Sequence, residues 1–232
     1  MAKYTIIFLV IVLSLVDPSI HQNLNKQTVL SGLSSLDFRF LKVPRRNSFS
    51  TGGNKTLCQC NGAEPQSVQK IKYYNYHSEE LTLCMCPNPV MSAQYMIKSM
   101  GRVPYVIRRN NKAMISATVN TCGGAFTSSD VSTYCGADMD ITVFIHESAH
   151  SFDKGRSDSQ EWHNAVDKDS CVPDAYSNTN YVEDFAQVVV LWVNLVGKGN
   201  YTNFGGTKFA CMKNQLELMA KYLPASSLKK MF

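Results

Sequence analysis

No segment of this sequence is long and apolar enough to cross a bilayer as a helix. The longest apolar run, Ile6 to Val16, is broken only by Ser14 and falls short of the about 20 residues that a spanning helix needs. A later run, Val188 to Val196, is shorter still and reads as part of a buried helix. Stable membrane insertion is therefore not expected. Internal repeats are absent, which argues against a stacked-repeat architecture. Long tracts of like charge are missing too. The 232 residues carry a formal net charge of +5, and the basic residues cluster only as the pairs Arg45-Arg46, Arg108-Arg109 and Lys229-Lys230. Such pairs are ordinary solvated surface, so no nucleic-acid interface is expected. The mild positive charge favours at most an anionic wall or membrane surface.

What is present points to export. Lys3 gives a positive start, Ile6 to Val16 an apolar core, and Asp17-Pro18 an end, the layout of a signal peptide over residues 1–19. Eight cysteines fit an oxidising compartment and an even set of disulfides. Four of them form two C-x-C pairs, Cys58/Cys60 and Cys84/Cys86. Alternate residues of a strand share a face, so two such pairs facing each other make neighbouring bridges. The secretory context favours bridges over a structural zinc there. Cys122 and Cys135 are close enough to close a loop, which leaves Cys171 to pair with Cys211. Two sequons, at Asn54 and Asn200, mark surface positions for glycans.

Apolar residues make up 44% of the chain, enough for a continuous core in one domain with a small appendage. Residues 20–56 lack clear periodicity and read as a mobile leader or propeptide, with Arg45-Arg46 after Pro44 either a dibasic processing site or simply an exposed loop with two arginines. Residues 57–101 read as a cysteine-bracketed module that ends in a helix from Pro87 to Met100. Residues 102–232 form the remaining, catalytic segment. Tyr105 to Arg108 and Ala113 to Thr118 read as strands around a tight turn at Asn110-Asn111. Four helices are expected after that. The first follows a cap at Asp138 or Asp140, the second spans Asp158 to Val166 with Asp158 and Glu161 as a capping box, the third spans Asn180 to Val196, and the fourth spans Thr207 to Leu223.

The first of these helices carries His146-Glu147-Ser148-Ala149-His150. Histidines four apart sit one turn above another, so both imidazoles can meet one ion. Zinc suits imidazole and takes three protein ligands plus a water. Glu147 projects beside that ion and suits a general base acting on a metal-activated water. With five histidines in the chain, chance gives this motif roughly three times in a thousand. A third ligand is still required. The metzincin pattern needs a histidine where Arg156 stands, so it fails. Asp153, His163, Glu183 and Asp184 remain. Asp153 is better placed to orient a histidine than to bind the ion. Glu183 and Asp184 both flank the buried stripe of the third helix, and the pattern alone does not choose between them.

The segment Tyr176 to Ala186 resembles the matching stretch of the anthrax lethal-factor catalytic domain, a gluzincin-type metallopeptidase. The shared elements are the tyrosine seven residues before the glutamate, the Thr179-Asn180 pair and Phe185-Ala186 after it. An aspartate three residues past the second histidine, Asp153, is shared too. The resemblance covers about residues 138–196. It implies Glu183 as third ligand beside His146 and His150, and Tyr176 as the group that stabilises an oxyanion or assists the leaving group. Gln187 stands where lethal factor has an acidic residue, so that charge is lost. The cysteine-rich secreted format is also similar to the fungal conidiation-specific protein 13 family.

These readings converge on an α+β fold, a zincin-like domain with a mainly helical C-terminal half after a disulfide-rich module. The expected function is a secreted zinc metallopeptidase that cleaves a peptide or protein substrate with Glu147 as general base. The alternative is an inactive zincin-like protein that binds a wall or host surface.

Overall fold

The computed structural model describes residues 23–43, 47–73, 79–119, 121–137, 139–204 and 206–229. The expected signal peptide, the dibasic pair Arg45-Arg46 and the candidate cap Asp138 lie outside these residues. The strands are β1 (Gln27–Thr28), β2 (Asn47–Thr51), β3 (Ser67–Tyr73), β4 (Glu79–Met85), β5 (Ala113–Ser116), β6 (Ala125–Ser128), β7 (Val131–Tyr134) and β8 (Cys171–Val172). The helices are α1 (Ala93–Arg102), α2 (Tyr105–Arg108), α3 (Ile141–Asp153), α4 (Gln160–Lys168), α5 (Tyr181–Gly197), α6 (Lys213–Tyr222) and α7 (Ala225–Lys229). The fold is mixed α+β, and its C-terminal half is mainly helical.

Six strands make one mixed sheet in the order β2-β3-β4-β5-β7-β6. β3 pairs antiparallel with β2 and β4, β5 runs parallel to β4 and β7, and β6 closes one edge antiparallel to β7. The sheet thus draws on all three expected regions: β2 from residues 20–56, β3 and β4 from 57–101, and β5 to β7 from 102–232. The leader region does more than lend a strand. Leu30, Leu33, Phe38 and Leu41 are buried in the main core, and β1 pairs in parallel with β8. Its apolar residues follow no helical or strand period because they enter the core from irregular backbone or, at Leu33, from a single 3-10 turn. Gly197 allows this at one point, since a Cβ there would collide with the Phe40 ring.

Side chains alternate across the sheet. Leu81, Leu83, Met114 and Tyr134 face the helices and join the main core. On the other face Cys60, Cys84, Cys86 and Ile115 form a small separate cluster. Four disulfides are present: Cys122–Cys135 and Cys171–Cys211, the expected pairs, and Cys58–Cys84 and Cys60–Cys86, the neighbouring bridges between the C-x-C pairs, whose register the sequence left open. Asn54 and Asn200 of the two sequons are exposed. Among the described residues no helix is long and apolar enough to cross a membrane.

Several elements depart from expectation. Tyr105–Arg108 is one turn of helix, not a strand. Its β-branched and aromatic residues suit a strand, but Pro104 precedes it, and the Pro104 carbonyl accepts from Ile107 and Arg108 N–H, each at 2.9 Å. Asn111 forms no hairpin turn; it is buried, and its Oδ1 accepts from the Ser132 and Ser151 hydroxyls at 2.9 and 3.2 Å. α1 starts only at Ala93, because Ser92 caps it by accepting from Tyr95 N–H. α4 is capped by Ser159, not Asp158. The last expected helix is split into a 3-10 stretch, Gly206–Met212, and α6.

Candidate metal centre

α3 begins where the Asp140 carboxylate accepts from Thr142 N–H at 2.7 Å, and it ends at Lys154, whose backbone is left-handed. His146 and His150 lie one turn apart on the same face, with ring centroids 4.7 Å apart. α5 begins at Asn180, whose side chain accepts from Glu183 N–H at 2.8 Å. That cap places Glu183 in the first turn, and α5 packs against α3. His146 Nε2 and His150 Nε2 are 3.0 Å apart, and Glu183 Oε2 lies 3.1 and 3.4 Å from them. Among the described residues this is the one group of three histidine, cysteine, aspartate or glutamate side chains close enough to share an ion.

The donor set fits zinc. Ligand atoms about 2.0–2.1 Å from a tetrahedral ion lie about 3.3 Å apart, close to the separations here. Glu183 Oε2 is buried and accepts no hydrogen bond, a costly state for a carboxylate oxygen unless a cation faces it. Burial pushes the Glu183 carboxyl up, but the two histidines together outweigh it and hold it well below the usual carboxylate range. Burial likewise opposes the charge on His150, yet Glu183, Glu147 and Asp153 raise its pKa overall.

The other weighed acids point elsewhere. Asp153 accepts from Ser157 N–H and the Ser157 hydroxyl, both at 2.7 Å, and braces the loop after α3. Asp184 is fully buried away from the histidines, and burial followed by the charges of Asp169 and Asp174 raises its pKa strongly. His163 stacks on Tyr181, with centroids 3.8 Å apart.

Glu147 lines a cleft of ≈ 390 Å³ together with His146, Tyr176 and Gln187. The Thr127 hydroxyl on β6 donates to Glu147 Oε2 at 2.7 Å. Tyr176 sits in a 3-10 turn, Tyr176–Thr179, half-exposed, its ring centroid 5.6 Å from that of His146. Burial, then the charges of Glu183 and Glu147, push its phenol up to about 12.

Several contributors were not visible as site residues in the sequence, and Gln187 was marked there only through the resemblance. Thr127 comes from β6 and carries no spacing signal. Leu33 and Ser34 of the N-terminal segment form part of the cleft wall. Gln187 accepts from His146 Nδ1 through Oε1 at 3.2 Å, and its Nε2 donates to both oxygens of Asp174 at 3.1 Å. The signal for Gln187 was the resemblance, which sets an acidic residue one turn past Glu183; Asp174 had none.

The family profile described as Conidiation-specific protein Con-13 matches residues 23–230. Conidiation-specific protein 13 of Neurospora crassa is 29% identical over 146 residues, which cover 59% of this chain and 42% of that protein. The match therefore spans less than half of the relative's length. No solved structure matches the chain.

Proposed function

The chain belongs to the conidiation-specific protein Con-13 family, and we propose that it acts as a secreted zinc-dependent endopeptidase of zincin type. The observation that carries this reading is the approach of His146 Nε2, His150 Nε2 and Glu183 Oε2 to within 3.0–3.4 Å of one another. The local resemblance of residues 176–186 to the lethal-factor catalytic domain supports it. The four disulfides agree with an exported protein.

Zinc, when bound, supplies Lewis acidity, polarising a carbonyl and lowering the pKa of a water to about 7. Glu147 is the general base: it takes a proton from a water in the cleft and returns it to the leaving amine. Thr127 holds the Glu147 carboxylate in place by donating to it. Tyr176, with its pKa near 12, stays protonated at neutral pH and can donate to an oxygen on which negative charge develops. A peptide substrate suits the cleft, because β6 is an edge strand and Gly123, Gly124 and Ala125 line the wall. An extended chain can add to such an edge as a further strand.

The test is metal content and hydrolysis of a broad peptide library by protein made through an oxidising route. About one equivalent of zinc, chelator-sensitive cleavage, and a loss of roughly 10²–10⁴-fold in Glu147→Gln with zinc retained are expected. A folded preparation that takes up no transition metal overturns the reading. Zinc without cleavage of any peptide leaves a binding protein instead.

A further inference from the structure

We propose that Asp174, acting through Gln187, is the positioning residue that fixes His146 in its metal-binding tautomer. This rests on the zinc reading above and adds to it a device particular to this chain.

The argument runs through donors and acceptors. A carboxylate only accepts hydrogen bonds, whereas a carboxamide has a donating end and an accepting end. Asp174 and Gln187 are both buried, so their polar atoms must be satisfied within the protein. Both oxygens of Asp174 face Gln187 Nε2 at 3.1 Å, which orients the amide with its NH₂ toward the carboxylate. Gln187 Oε1 is then left facing His146 Nδ1 at 3.2 Å, and an oxygen there can only accept. Nδ1 must carry the proton. In the neutral ring Nε2 then holds the lone pair, and Nε2 is the atom that faces His150 and Glu183. With an apolar partner in place of Asp174, the amide could turn over and offer an N–H to Nδ1, which selects the tautomer that cannot bind through Nε2. The anionic group that directs the first histidine therefore sits one side chain further out than a direct carboxylate partner would.

Asp174 has a second task at the same oxygen. Its Oδ1 accepts from Tyr176 N–H and Ser177 N–H at 3.1 Å and from the Ser177 hydroxyl at 3.2 Å. One carboxylate thus sets both the ring of His146 and the turn that carries Tyr176. Asp174 follows β8, whose Cys171 is bridged to Cys211 and whose Cys171 carbonyl accepts from Gln215 Nε2 at 3.0 Å.

The two tasks separate experimentally. In Asp174→Asn the remaining Oδ1 still accepts the turn's hydrogen bonds, while Nδ2 meets Gln187 and turns its amide over. Zinc affinity, measured by chelator competition, should fall about 10–100-fold. In metal-free protein, ¹⁵N spectra of the imidazoles should show His146 moving from the Nδ1–H to the Nε2–H tautomer, with little change in melting temperature. The pair Asp174→Asn with Gln187→Glu puts an acceptor back on Nδ1 and should recover most of the affinity. Gln187→Leu, which leaves every turn bond of Asp174 in place, should lose as much as Asp174→Asn. If wild type binds zinc and Asp174→Asn binds it equally well, or loses affinity without a change of tautomer, the relay is overturned alone. If wild type takes up no zinc, the metal reading falls and the relay with it.

Discussion

The two faces of the six-stranded sheet are held by different means. The face toward the helices is covered by a large apolar cluster that includes Trp162, Trp192, Phe144 and most of α5. On the opposite face, among the described residues, only Cys60, Cys84, Cys86 and Ile115 are buried together, with Cys58 and Val131 partly covered. Three of the four disulfides lie on that thin side, and two of them, Cys60–Cys86 and Cys122–Cys135, wall a hollow of ≈ 310 Å³. Covalent links take over where buried area is scarce. The candidate site lies under the thick face, where packed helices can hold three ligand atoms in register. The fourth disulfide is on that side as well, at β8, and there it steadies the approach to the site rather than a thin core.

This contrast makes unequal demands on stability. Trp192→Ala, deep in the thick face, should cost about 3–5 kcal/mol in denaturant unfolding. It also removes the indole N–H donated to the Leu223 carbonyl at 2.7 Å. A loss near zero would show that the helical layer is not the main support. Replacing all four cysteines of Cys58–Cys84 and Cys60–Cys86 by serine should cost about 3.5 kcal/mol. Replacing one pair should cost much less, because the other closes nearly the same loop, each with a sequence separation of 26. Zinc binding should survive both changes; if it does not, the faces are not independent.

Tyr176→Phe should lower the rate roughly 10²-fold, with stability unchanged. An unchanged rate assigns Tyr176 to the cleft wall. The smallest effect is expected at the seam between hairpin and helix. Asp130, in the β6–β7 turn, pairs with Lys154 at 2.6 Å and Lys112 at 3.1 Å. Burial raises its pKa, but the two lysines together bring it below the usual 3.8. A depressed carboxylate stabilises the fold above its unfolded value and loses that contribution as pH falls through its folded value. Both lysines are half-exposed, so the pair is worth only about 0.5 kcal/mol. The gap between wild type and Lys154→Met should be of that size at neutral pH and close as the pH drops below the aspartate range. A gap that widens on acidification would mean that Lys154 acts through another group.

The site was readable in the sequence where local periodicity governs it. His146 and His150 lie on a helix with a good cap and an apolar stripe, and spacing alone puts them together. Choosing Glu183 over Asp184 needed the resemblance, because both flank the same stripe. In the structure Asn180 caps α5 so that Glu183 turns to the histidines and Asp184 to the interior. Thr127 reaches Glu147, and Asp174 reaches His146 through Gln187, by tertiary packing between elements far apart in the chain, which no spacing rule encodes. The same holds for the fold. The neighbouring bridges of the C-x-C pairs were legible because alternation is local, and Cys84 does lie in β4. The role of residues 24–41 was not, because irregular backbone leaves no period to read. The short helix α2 misled for a different reason: its composition suits a strand, and one turn is too short for a helical pattern.

The parallel pairing of β1 with β8 has a bearing on the order of assembly. Gln27 meets Cys171, and the Tyr176–Thr179 turn is tied to the same early segment. Leu24 N–H donates to the Asn178 carbonyl at 2.9 Å, Lys26 N–H to Asn178 Oδ1 at 2.8 Å, and Asn178 Nδ2 to the Lys26 carbonyl at 2.9 Å. During synthesis this early segment emerges long before its partners and has nothing to pair with until residue 178 has followed. Contacts so distant along the chain form late, since a large loop must close first. The tyrosine turn is therefore among the last parts to be secured, and the cleft is completed only after most of the chain has been made.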